Sequence, residues 1–474
     1  MKHLHDLTIK KFHEGLTKRE FSALEMAENF YKWIEKKDKE IGAYLSLDKE
    51  AAYLQAEKVD IALAKGEKVG LLSGVPLAIK DNILIVGQPC TAASKILKNY
   101  HAAYDATVIR KLRSANAVFL GKTNMDEFAM GSSTENSAFK KTANPHDTKR
   151  VPGGSSGGSA AAVSAQMAVA ALGSDTGGSI RQPADFCQVV GLKPTYGAVS
   201  RYGLIAMASS LDQVGPITKT VEDAAILFES ISGKDVYDST SADMIYGDEI
   251  LNPKLERIKE MIIGLPKEYF IAGLEKEIEG KIQKVIDQLK TLKIKFKEIS
   301  LPHTEHALAC YYIIMPAEVS ANLARFDGIR YSPIDEVKRT DLNLRKLYFE
   351  NRSAGFGPEA KRRIILGAFV LSSGYYDAYY AKAQKVRSLI KKDFDEALKE
   401  VDVILTPVSP TKPFKIGERV DDPLKMYLAD IFTIPANLAG LPAISIPPGF
   451  QLIAKHWREA DILGIGQFYE RIKK

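Results

Sequence analysis

Residues 151–195 read VPGGSSGGSAAAVSAQMAVAALGSDTGGSIRQPADFCQVVGLKPT, two glycine- and serine-rich loops separated by a segment of small, mostly apolar residues. The first loop spans residues 153–159 and the second spans residues 173–179. Glycine gives such loops backbone conformations that other residues rarely adopt, and each loop presents serine hydroxyls. One loop of this kind is well explained as a flexible turn, but two are not. We therefore interpret the rest of the chain around them.

A lysine lies upstream of these loops, at the end of the apolar run formed by residues 75–79. A serine hydroxyl is a weak nucleophile that needs a base, and a lysine kept neutral by burial can serve where no histidine is near in sequence. Taken alone, Lys80 would be read as a surface lysine, because buried lysines are rare. The two serine-bearing loops favour instead a catalytic role for Lys80.

Two other motifs compete for the first loop. Residues 153–157 match the G-x-S-x-G pattern of a nucleophile elbow, which requires a strand directly before it and an aspartate and a histidine after it. The preceding residues 144–152 are polar and interrupted by proline, which weakens this interpretation, although His303, His306 and His456 follow downstream. A phosphate-binding loop is the second alternative, but the sequence lacks the GK[ST] ending of that motif.

Composition indicates an ordinary globular protein. The 474 residues are 45% hydrophobic and 26% charged, and the net charge of +6 is too small to imply nucleic-acid binding. The three cysteines are far apart in sequence, which argues against a disulfide framework and for a reducing compartment. The N-terminus lacks the apolar core of a signal peptide, and no apolar run reaches the roughly 18 residues of a membrane span. We expect a cytoplasmic protein with no membrane partner.

The pattern along the chain predicts an α/β protein. Residues 1–65 are expected to form an N-terminal helical segment packed on the core, because apolar residues such as Leu24, Phe30 and Ile34 recur at helical spacing. From Gly70 onwards, short apolar runs alternate with helix-like stretches, which is typical of a sheet with connecting helices. The predicted strands are residues 75–79, 117–120, 168–172, 262–266, 294–300 and 403–406, and the predicted helices include 106–114, 277–292 and 367–401.

Lys80 after an apolar strand, Ser155 in the GGSSGGS loop and Ser179 in the GSDTGGSIR loop together resemble the amidase signature family. That resemblance implies an α/β fold, a single large domain with a central mixed sheet covered by helices on both faces. The domain would span residues 66–474, with a signature core at about 70–232 and a C-terminal part at about 253–474.

The resemblance also implies roles for the residues of the loops. Ser179 would be the nucleophile, Ser155 a bridging serine in a cis peptide, and Lys80 the base. The backbone N–H groups of residues 176–179, which are Thr176, Gly177, Gly178 and Ser179, would form the oxyanion hole. Converging amide donors suit a developing oxyanion, and each is worth about 3 kcal/mol where measured.

Within the family, four longer stretches resemble the glutamine-hydrolysing subunits of tRNA amidotransferases. The resemblance implies that Arg363 holds the carboxylate of glutamine and that Asp430 holds its amino group. Arginine suits a carboxylate because its fork can bind both oxygens. Tyr311, or the adjacent Tyr312, would close the pocket. The stretches are residues 122–131 (KTNMDEFAMG), 356–366 (FGPEAKRRIIL), 374–387 (GYYDAYYAKAQKVR) and 421–430 (DDPLKMYLAD).

The same resemblance implies partners. Two further subunits, one small and wrapping and the other a tRNA-binding kinase/transamidase, would complete a heterotrimer, and tRNA would be reached only through the complex. ATP and magnesium would bind the partner subunit, with no cofactor and no metal in this chain. The alternatives are a stand-alone amidase that acts on another small amide and an inactive scaffold, which the complete triad disfavours.

The sequence departs from the family pattern near its end. The family continues past Pro447 through a glycine-rich turn before its next strand, whereas here Pro448, Gly449 and Phe450 lead straight into that strand. The packing of the C-terminal segment and the nearby pocket wall are therefore open at this point. All three predicted catalytic residues lie outside the shortened turn.

Overall fold

Eleven strands form one sheet in the computed structural model, which describes residues 7–270, 274–332 and 343–473. The strand order is β1-β3-β2-β4-β6-β5-β10-β11-β9-β7-β8. The strands are β1 (Tyr44–Leu47), β2 (Pro76–Lys80), β3 (Val118–Thr123), β4 (Ala170–Asp175), β5 (Val190–Lys193), β6 (Gln213–Thr218), β7 (Ile262–Pro266), β8 (Lys295–Ile299), β9 (Val403–Pro407), β10 (Ala443–Ile446) and β11 (Phe450–Ala454).

The α-helices account for most of the remaining regular structure. They are α1 (Ile9–Thr17), α2 (Ala23–Ile41), α3 (Lys49–Ala64), α4 (Thr107–Ser114), α5 (Gly157–Ser164), α6 (Arg181–Phe186), α7 (Val221–Ile231), α8 (Leu255–Glu260), α9 (Lys276–Thr291), α10 (Ala307–Asn322), α11 (Leu344–Gly355), α12 (Pro358–Val370), α13 (Lys382–Glu400), α14 (Pro423–Tyr427), α15 (Ile434–Ala439) and α16 (Glu459–Lys473).

The sheet is mixed, and its direction changes bring the two loops to the lysine. Strand β2 runs parallel to both β3 and β4, while β4 is antiparallel to β6. Ile79 is opposite Leu172, so Lys80 at the end of β2 lies beside the end of β4. The carboxyl ends of parallel strands share one edge of a sheet, and this edge carries both Lys80 and the second Gly/Ser loop.

Helices cover both faces of the sheet, and the alternation of side chains along the strands shows it. In β9, Val403 and Leu405 belong to one buried apolar cluster and Ile404 belongs to another. Strand β11 repeats this division with Leu452 and Ile453. Successive side chains of a strand point to opposite faces, so the two clusters are the two sides of the sheet. The predicted mixed sheet between helical layers is confirmed.

The N-terminal segment contains a strand that the sequence did not predict. Helix α2 begins at a capping box formed by Ser22 and Glu25, as its sequence favours. Tyr44–Leu47, however, forms the edge strand β1, which pairs with β3, so the purely helical interpretation of residues 1–65 was wrong here. A four-residue edge strand leaves almost no periodicity to detect. The predicted boundary at 65/66 stays a prediction, and residues 1–6 and 474 of the two ranges lie outside the described residues.

The predicted long helix at residues 367–401 is also interrupted. Helix α12 ends at Val370, a turn follows, and a short π-helix at Asp377–Ala381 leads into α13. Gly374, with φ +86°, lies inside the interruption. A positive φ suits glycine and does not occur inside a right-handed helix, so the chain changes direction at this point.

One helical stretch, Pro302–Arg325, is long and apolar enough to cross a membrane by length and composition. Half of its most apolar window is buried inside the protein. Helix α10, its main part, contacts α12, α13 and α15, and buries Ile314, Met315 and Val319. A core helix of a folded domain has this pattern of burial.

The shortened segment after β10 forms a tight hairpin. Strands β10 and β11 pair with Ile446 opposite Phe450, so only three residues connect them. The Pro447–Pro448 peptide is cis, and Gly449 has φ +124°. A Cβ atom on Gly449 would lie 2.7 Å from a carboxylate oxygen of Asp185, so the turn requires glycine. Helix α16 packs on these strands, which answers how the C-terminal segment is held.

Candidate active site

Lys80 is the centre of a buried cluster of hydroxyl groups. Its side chain has no exposed surface. Its Nζ donates hydrogen bonds to Ser155 Oγ at 2.8 Å, to Ser156 Oγ at 2.7 Å and to Ser174 Oγ at 2.9 Å. The carbonyl of Ser174 accepts a further bond at 3.2 Å. Both Gly/Ser loops therefore converge on the one lysine predicted from the sequence.

Burial lowers the pKa of Lys80 to about 7, because desolvation disfavours the ammonium. Three buried aspartates, Asp126, Asp175 and Asp212, act in the opposite direction and limit the fall. An ordinary lysine has a pKa near 10.4, so it would be protonated at neutral pH. Here a substantial fraction of Lys80 is a free amine, which has a lone pair able to accept a proton.

Ser155 follows a cis peptide bond with Gly154, as the resemblance implies. The loop is fixed on both sides: Gly154 N–H donates to Gln182 Oε1 at 2.9 Å, and Asp126 N–H donates to the Ser155 carbonyl at 3.3 Å. A Cβ on Gly154 would lie 2.2 Å from Asp126 Oδ2, so only glycine fits.

The nucleophile-elbow interpretation of this loop was wrong. Residues 124–156, all of which the structure describes, contain no strand, and α5 begins directly after the loop. The nucleophile elbow needs a strand immediately before its serine.

Ser179 lies in the connection between β4 and α6 and is 7% exposed. Its carbonyl accepts the Ser156 N–H at 3.1 Å, which joins the two loops directly. The structure thus brings Lys80, Ser155 and the loop of Ser179 into one buried region. The catalytic roles assigned to the three residues remain predictions.

Asp175 organises the second loop. Arg181 forms an ion pair with it, with Nε 3.1 Å from Oδ2 and Nη2 3.1 Å from Oδ1. Burial alone would raise the pKa of Asp175, but the Arg181 guanidinium outweighs it and holds this pKa at about 2. Asn437 Nδ2 also donates to the carboxylate at 2.8 Å. The aspartate is therefore a permanent anion that fixes the loop.

One of the predicted oxyanion donors is already occupied. The Gly178 N–H donates to Asp175 Oδ1 at 2.8 Å, so it does not point into free space and this part of the prediction lacks support. Within the described parts of the chain, the N–H groups of Thr176, Gly177 and Ser179 have no protein acceptor. The oxyanion hole then reduces to these three candidates.

Tyr311 packs over the predicted oxyanion loop. A Cβ on Gly177 would lie 2.8 Å from the Tyr311 hydroxyl oxygen, and Tyr311 is 5% exposed. Thr433 contacts the same loop, because its Oγ1 donates to the Gly177 carbonyl at 2.6 Å and also lies 3.0 Å from the Asp430 carbonyl. The predicted nucleophile loop and the predicted substrate-binding residue Asp430 are thus one side chain apart.

Arg363 is buried, at 3% exposure, so the alternative of a surface charge was wrong for this residue. Its Nε donates to Glu359 Oε1 at 2.8 Å, and its guanidinium lies over the rings of Tyr312 and Tyr427, at 5.3 and 5.5 Å from their centroids. Tyr427 also donates to Glu359 Oε1, at 2.8 Å. The guanidinium is oriented by one carboxylate and two aromatic faces, which leaves other N–H groups available to a ligand.

Asp430 is buried with half of its carboxyl group unpartnered. Ser132 Oγ donates to Oδ2, whereas Oδ1 has no hydrogen-bond partner among the described residues. Burial raises the pKa of Asp430 to about 8. An unsatisfied buried carboxyl oxygen is costly, and an incoming ammonium would satisfy it.

Two consecutive carboxylates connect the loops to the helix of Arg363. Asp126 accepts the N–H groups of residues 133, 134 and 136, and its own N–H holds Ser155. The neighbouring Glu127 accepts the N–H of Gly357 at 2.9 Å, directly before α12, and the hydroxyl of Ser94 at 2.5 Å. Helix α12 carries Arg363, and a cavity of about 500 Å³ opens beside it.

The sequence did not single out several residues that complete this site. Ser156 and Ser174 were detectable, because they lie in the two loops that carry Ser155 and Ser179. Glu359 precedes Arg363 by four residues, which is the spacing of a helical ion pair. The contacts of Ser132 and Thr433 with Asp430 and Gly177 join segments up to 298 residues apart, and no local pattern announces them.

We expect Ser174→Ala to lower kcat by about 10-fold, because a hydrogen bond to a charged or polar partner contributes about 1.5 kcal/mol. Ser174 Oγ accepts bonds from Lys80 Nζ and from Asn82 Nδ2, both at 2.9 Å. Losing an acceptor disfavours the ammonium, so the acidic limb of the pH profile should move to lower pH. Ser159→Ala is the control, since Ser159 bonds Thr123 and Leu172 and not Lys80. An unchanged kcat together with an unmoved limb would exclude a positioning role for Ser174.

Comparison with known proteins identifies the family. A family model described as Amidase matches residues 25–463. A glutamyl-tRNA(Gln) amidotransferase subunit from Carboxydothermus hydrogenoformans is 54% identical over 478 residues, covering 99% of this chain and 97% of the relative. The crystal structure of the subunit of the same name from Thermotoga maritima is 44% identical, with a TM-score of 0.80, covering 98% of this chain and 94% of that one.

A more distant structure has the same fold. The peptide amidase of Stenotrophomonas maltophilia is 25% identical with a TM-score of 0.82, covering 98% of this chain and 96% of that chain. The similarity therefore extends over the entire fold, beyond the two loops. With a family model that spans most of its length and full-length relatives at more than half identity, this chain belongs to the amidase family.

Proposed function

We propose that the chain is the glutamine-hydrolysing subunit of a tRNA amidotransferase, a ligase that forms C–N bonds. It would release ammonia from glutamine and supply it to a partner that amidates misacylated Glu-tRNA(Gln) or Asp-tRNA(Asn). The relatives at 54% identity carry the name of such a subunit. The observation that carries the proposal is the pair of buried groups beside the serine loops: the oriented guanidinium of Arg363 and the half-unpartnered carboxyl group of Asp430.

Free glutamine has matching chemistry. Its α-carboxylate needs a cation and its α-ammonium needs an anion, while its side-chain amide must reach a nucleophile at the other end. Arg363 offers a planar fork that binds both oxygens of a carboxylate, and the unpartnered Asp430 Oδ1 suits an ammonium donor. Tyr311, packed against Gly177, would close the pocket between the two ends.

Hydrolysis would begin at Ser179. Its Oγ attacks the side-chain amide carbon of glutamine, its proton passes to Ser155 Oγ, and the Ser155 proton passes to the neutral amine of Lys80. The amide oxygen becomes an oxyanion, which the N–H groups of Thr176, Gly177 and Ser179 would stabilise. The depressed pKa of Lys80 supports this step, because only the free amine can accept the proton.

Collapse of the tetrahedral intermediate would return the proton through Ser155 to the leaving nitrogen. Ammonia departs, and a γ-glutamyl ester remains on Ser179. Water then attacks the ester by the same relay and releases glutamate. No cofactor of this chain takes part, and ATP and magnesium would act on the partner subunit, where the misacylated tRNA is activated.

The complete assembly would be a cytoplasmic heterotrimer with a small wrapping subunit and a tRNA-binding subunit. We expect the isolated chain to hydrolyse glutamine slowly and to gain activity when the partner subunits and misacylated tRNA are added. Coupling of this kind prevents ammonia from being released without an acceptor.

Substitutions at the ends of the pocket test the substrate. Arg363→Ala and Asp430→Ala are each expected to raise KM for glutamine by about 10- to 100-fold, because a hydrogen bond to a charged group contributes about 1.5–3 kcal/mol and 1.4 kcal/mol is tenfold. Asp430→Asn removes the charge with little change of shape and should act in the same direction. Steady-state kinetics on glutamine and on a small neutral amide measure the difference, and the neutral amide should change little.

The alternative is a stand-alone amidase, since the distant relative of 25% identity is a peptide amidase. A hydrophobic amide needs neither Arg363 nor Asp430. Rapid turnover of such an amide by the isolated chain, with glutamine ignored and both variants unaffected, would establish that alternative instead.

A further inference from the structure

The turn after α12 presents a run of aromatic residues to solvent. Every residue from Leu371 to Tyr379 is exposed. Tyr375, Tyr376 and Tyr379 within this run are 44%, 46% and 40% exposed. Tyrosine and phenylalanine side chains at this density are unusual on a free protein surface, and they are enriched where protein chains meet.

The rings form one cluster with the end of α12. Phe369 lies 4.4 Å from Tyr375 and 5.9 Å from Tyr379, measured between ring centroids, and Phe369 is itself 43% exposed. Ile365, one turn earlier, is 68% exposed. We call these five residues, Ile365, Phe369, Tyr375, Tyr376 and Tyr379, the tyrosine patch. A contiguous exposed apolar patch marks an interaction site more often than an isolated apolar residue does.

The tyrosine patch continues to the mouth of the cavity beside the candidate active site. Arg362, Ile365 and Phe369 follow at positions i, i+3 and i+7 of α12 and therefore share one face of the helix. Arg362 and the next residue, Arg363, both line the cavity of about 500 Å³. A molecule seated on the tyrosine patch would therefore also border the opening through which the site communicates with solvent.

The surroundings of the tyrosine patch are basic. Residues 360–389 contain six lysines and arginines and one acidic residue, Asp377. Lys382 and Lys385 are exposed and form no ion pair with any residue that the structure describes. Complementary charges at the rim of an interface steer association and select partners, so an acidic rim on the partner would fit.

We propose that the tyrosine patch is the docking surface for the ammonia-accepting subunit, which would present an apolar surface edged by acidic side chains. This inference rests on the proposed function. Ammonia that leaves the site through an open mouth would be lost to solvent, and an acceptor seated on α12 would receive it at the opening. The basic rim would orient the partner, and the exposed rings would supply the apolar centre of the contact.

The test uses the chain expressed together with the two partner subunits of the same organism. In the double variant Phe369→Ser/Tyr375→Ser, the Kd for the acceptor subunit should weaken by about 100-fold or more, since central aromatic residues each contribute about 2 kcal/mol. Glutamine hydrolysis by the isolated variant should stay within about 2-fold of wild type. The control is Leu54→Ser/Ile61→Ser on α3, whose side chains are 61% and 56% exposed and lie outside the tyrosine patch.

A second variant tests the basic rim. Lys382→Glu/Lys385→Glu should slow association and remove part of its salt dependence, as measured by sedimentation and surface binding at two ionic strengths.

Unchanged affinity of the Phe369→Ser/Tyr375→Ser variant for the acceptor subunit would overturn the inference. Loss of self-association alone would assign the tyrosine patch to a second copy of this chain, and loss of binding to tRNA without the subunits would assign it to nucleic acid; either result also overturns it. Failure of the proposed function is seen separately, as a wild-type isolated chain that does not hydrolyse glutamine at all.

Discussion

Ser179→Ala is expected to lower kcat for glutamine hydrolysis by about 10⁴-fold or more, because loss of a serine nucleophile removes the covalent route entirely. The fold should remain intact, since Ser179 joins the neighbouring loop through its backbone carbonyl, which alanine keeps. Circular dichroism and thermal unfolding check the fold, and steady-state kinetics measure the loss. Ser159→Ala, in the neighbouring loop, is the matched control.

The same assignment predicts where an acyl group forms. Stopping the reaction with acid during turnover, or treating the enzyme with a slowly hydrolysed ester, should leave an adduct on Ser179 that mass spectrometry locates. An adduct on Ser155 would contradict the assignment and make Ser155 the nucleophile. The contact between Ser156 N–H and the Ser179 carbonyl means that both loops must be sequenced, because their peptides lie in the same region.

Lys80→Met is expected to lower kcat by about 10³-fold or more, because methionine fills a similar space and cannot accept a proton. The wild-type pH profile follows from the same group. Below a pKa of about 7 Lys80 is an ammonium and inactive, and above it the free amine is active. Activity should therefore rise about tenfold per pH unit below pH 7 and level off above it.

Histidine variants are the control for the base. His146 bonds Cys187 and Ser164, and His303 bonds Asp393, so the hydrogen bonds of these rings do not reach Lys80. Alanine at His146, His303, His306 or His456 should change kcat by no more than about 2-fold. A histidine variant as inactive as Lys80→Met, or activity that falls through pH 7, would exclude lysine as the base.

The sequence predicted the parts of this molecule that are local. Strand β2 and the lysine at its end are visible as an apolar run that stops at a charge, and β7 was predicted with its observed bounds. The two loops are visible because glycine and serine alternate there. The resemblance supplied the sheet between helical layers and the cis peptide before Ser155, and the structure contains both.

The remainder depended on long-range contacts or on backbone geometry. Thr433 reaches Gly177 across 256 residues, and only the folded chain brings them together. The engagement of the Gly178 N–H by Asp175 was closer to hand, because an aspartate three residues earlier often accepts a backbone N–H in a turn. The Phe369 and Tyr375 rings meet only because the predicted long helix is broken between them.

The adjacent residues Asp126 and Glu127 give the site a fixed length. One holds the loop of Ser155 and the other holds the start of the helix that carries Arg363, so a single peptide unit spaces the reacting end from the carboxylate-binding end. The pocket then acts as a caliper for amino acid amides. Asparagine, one methylene shorter than glutamine, could reach Arg363 or Ser179 but not both, and discrimination against it would come from a rigid distance rather than from any group that recognises the missing carbon.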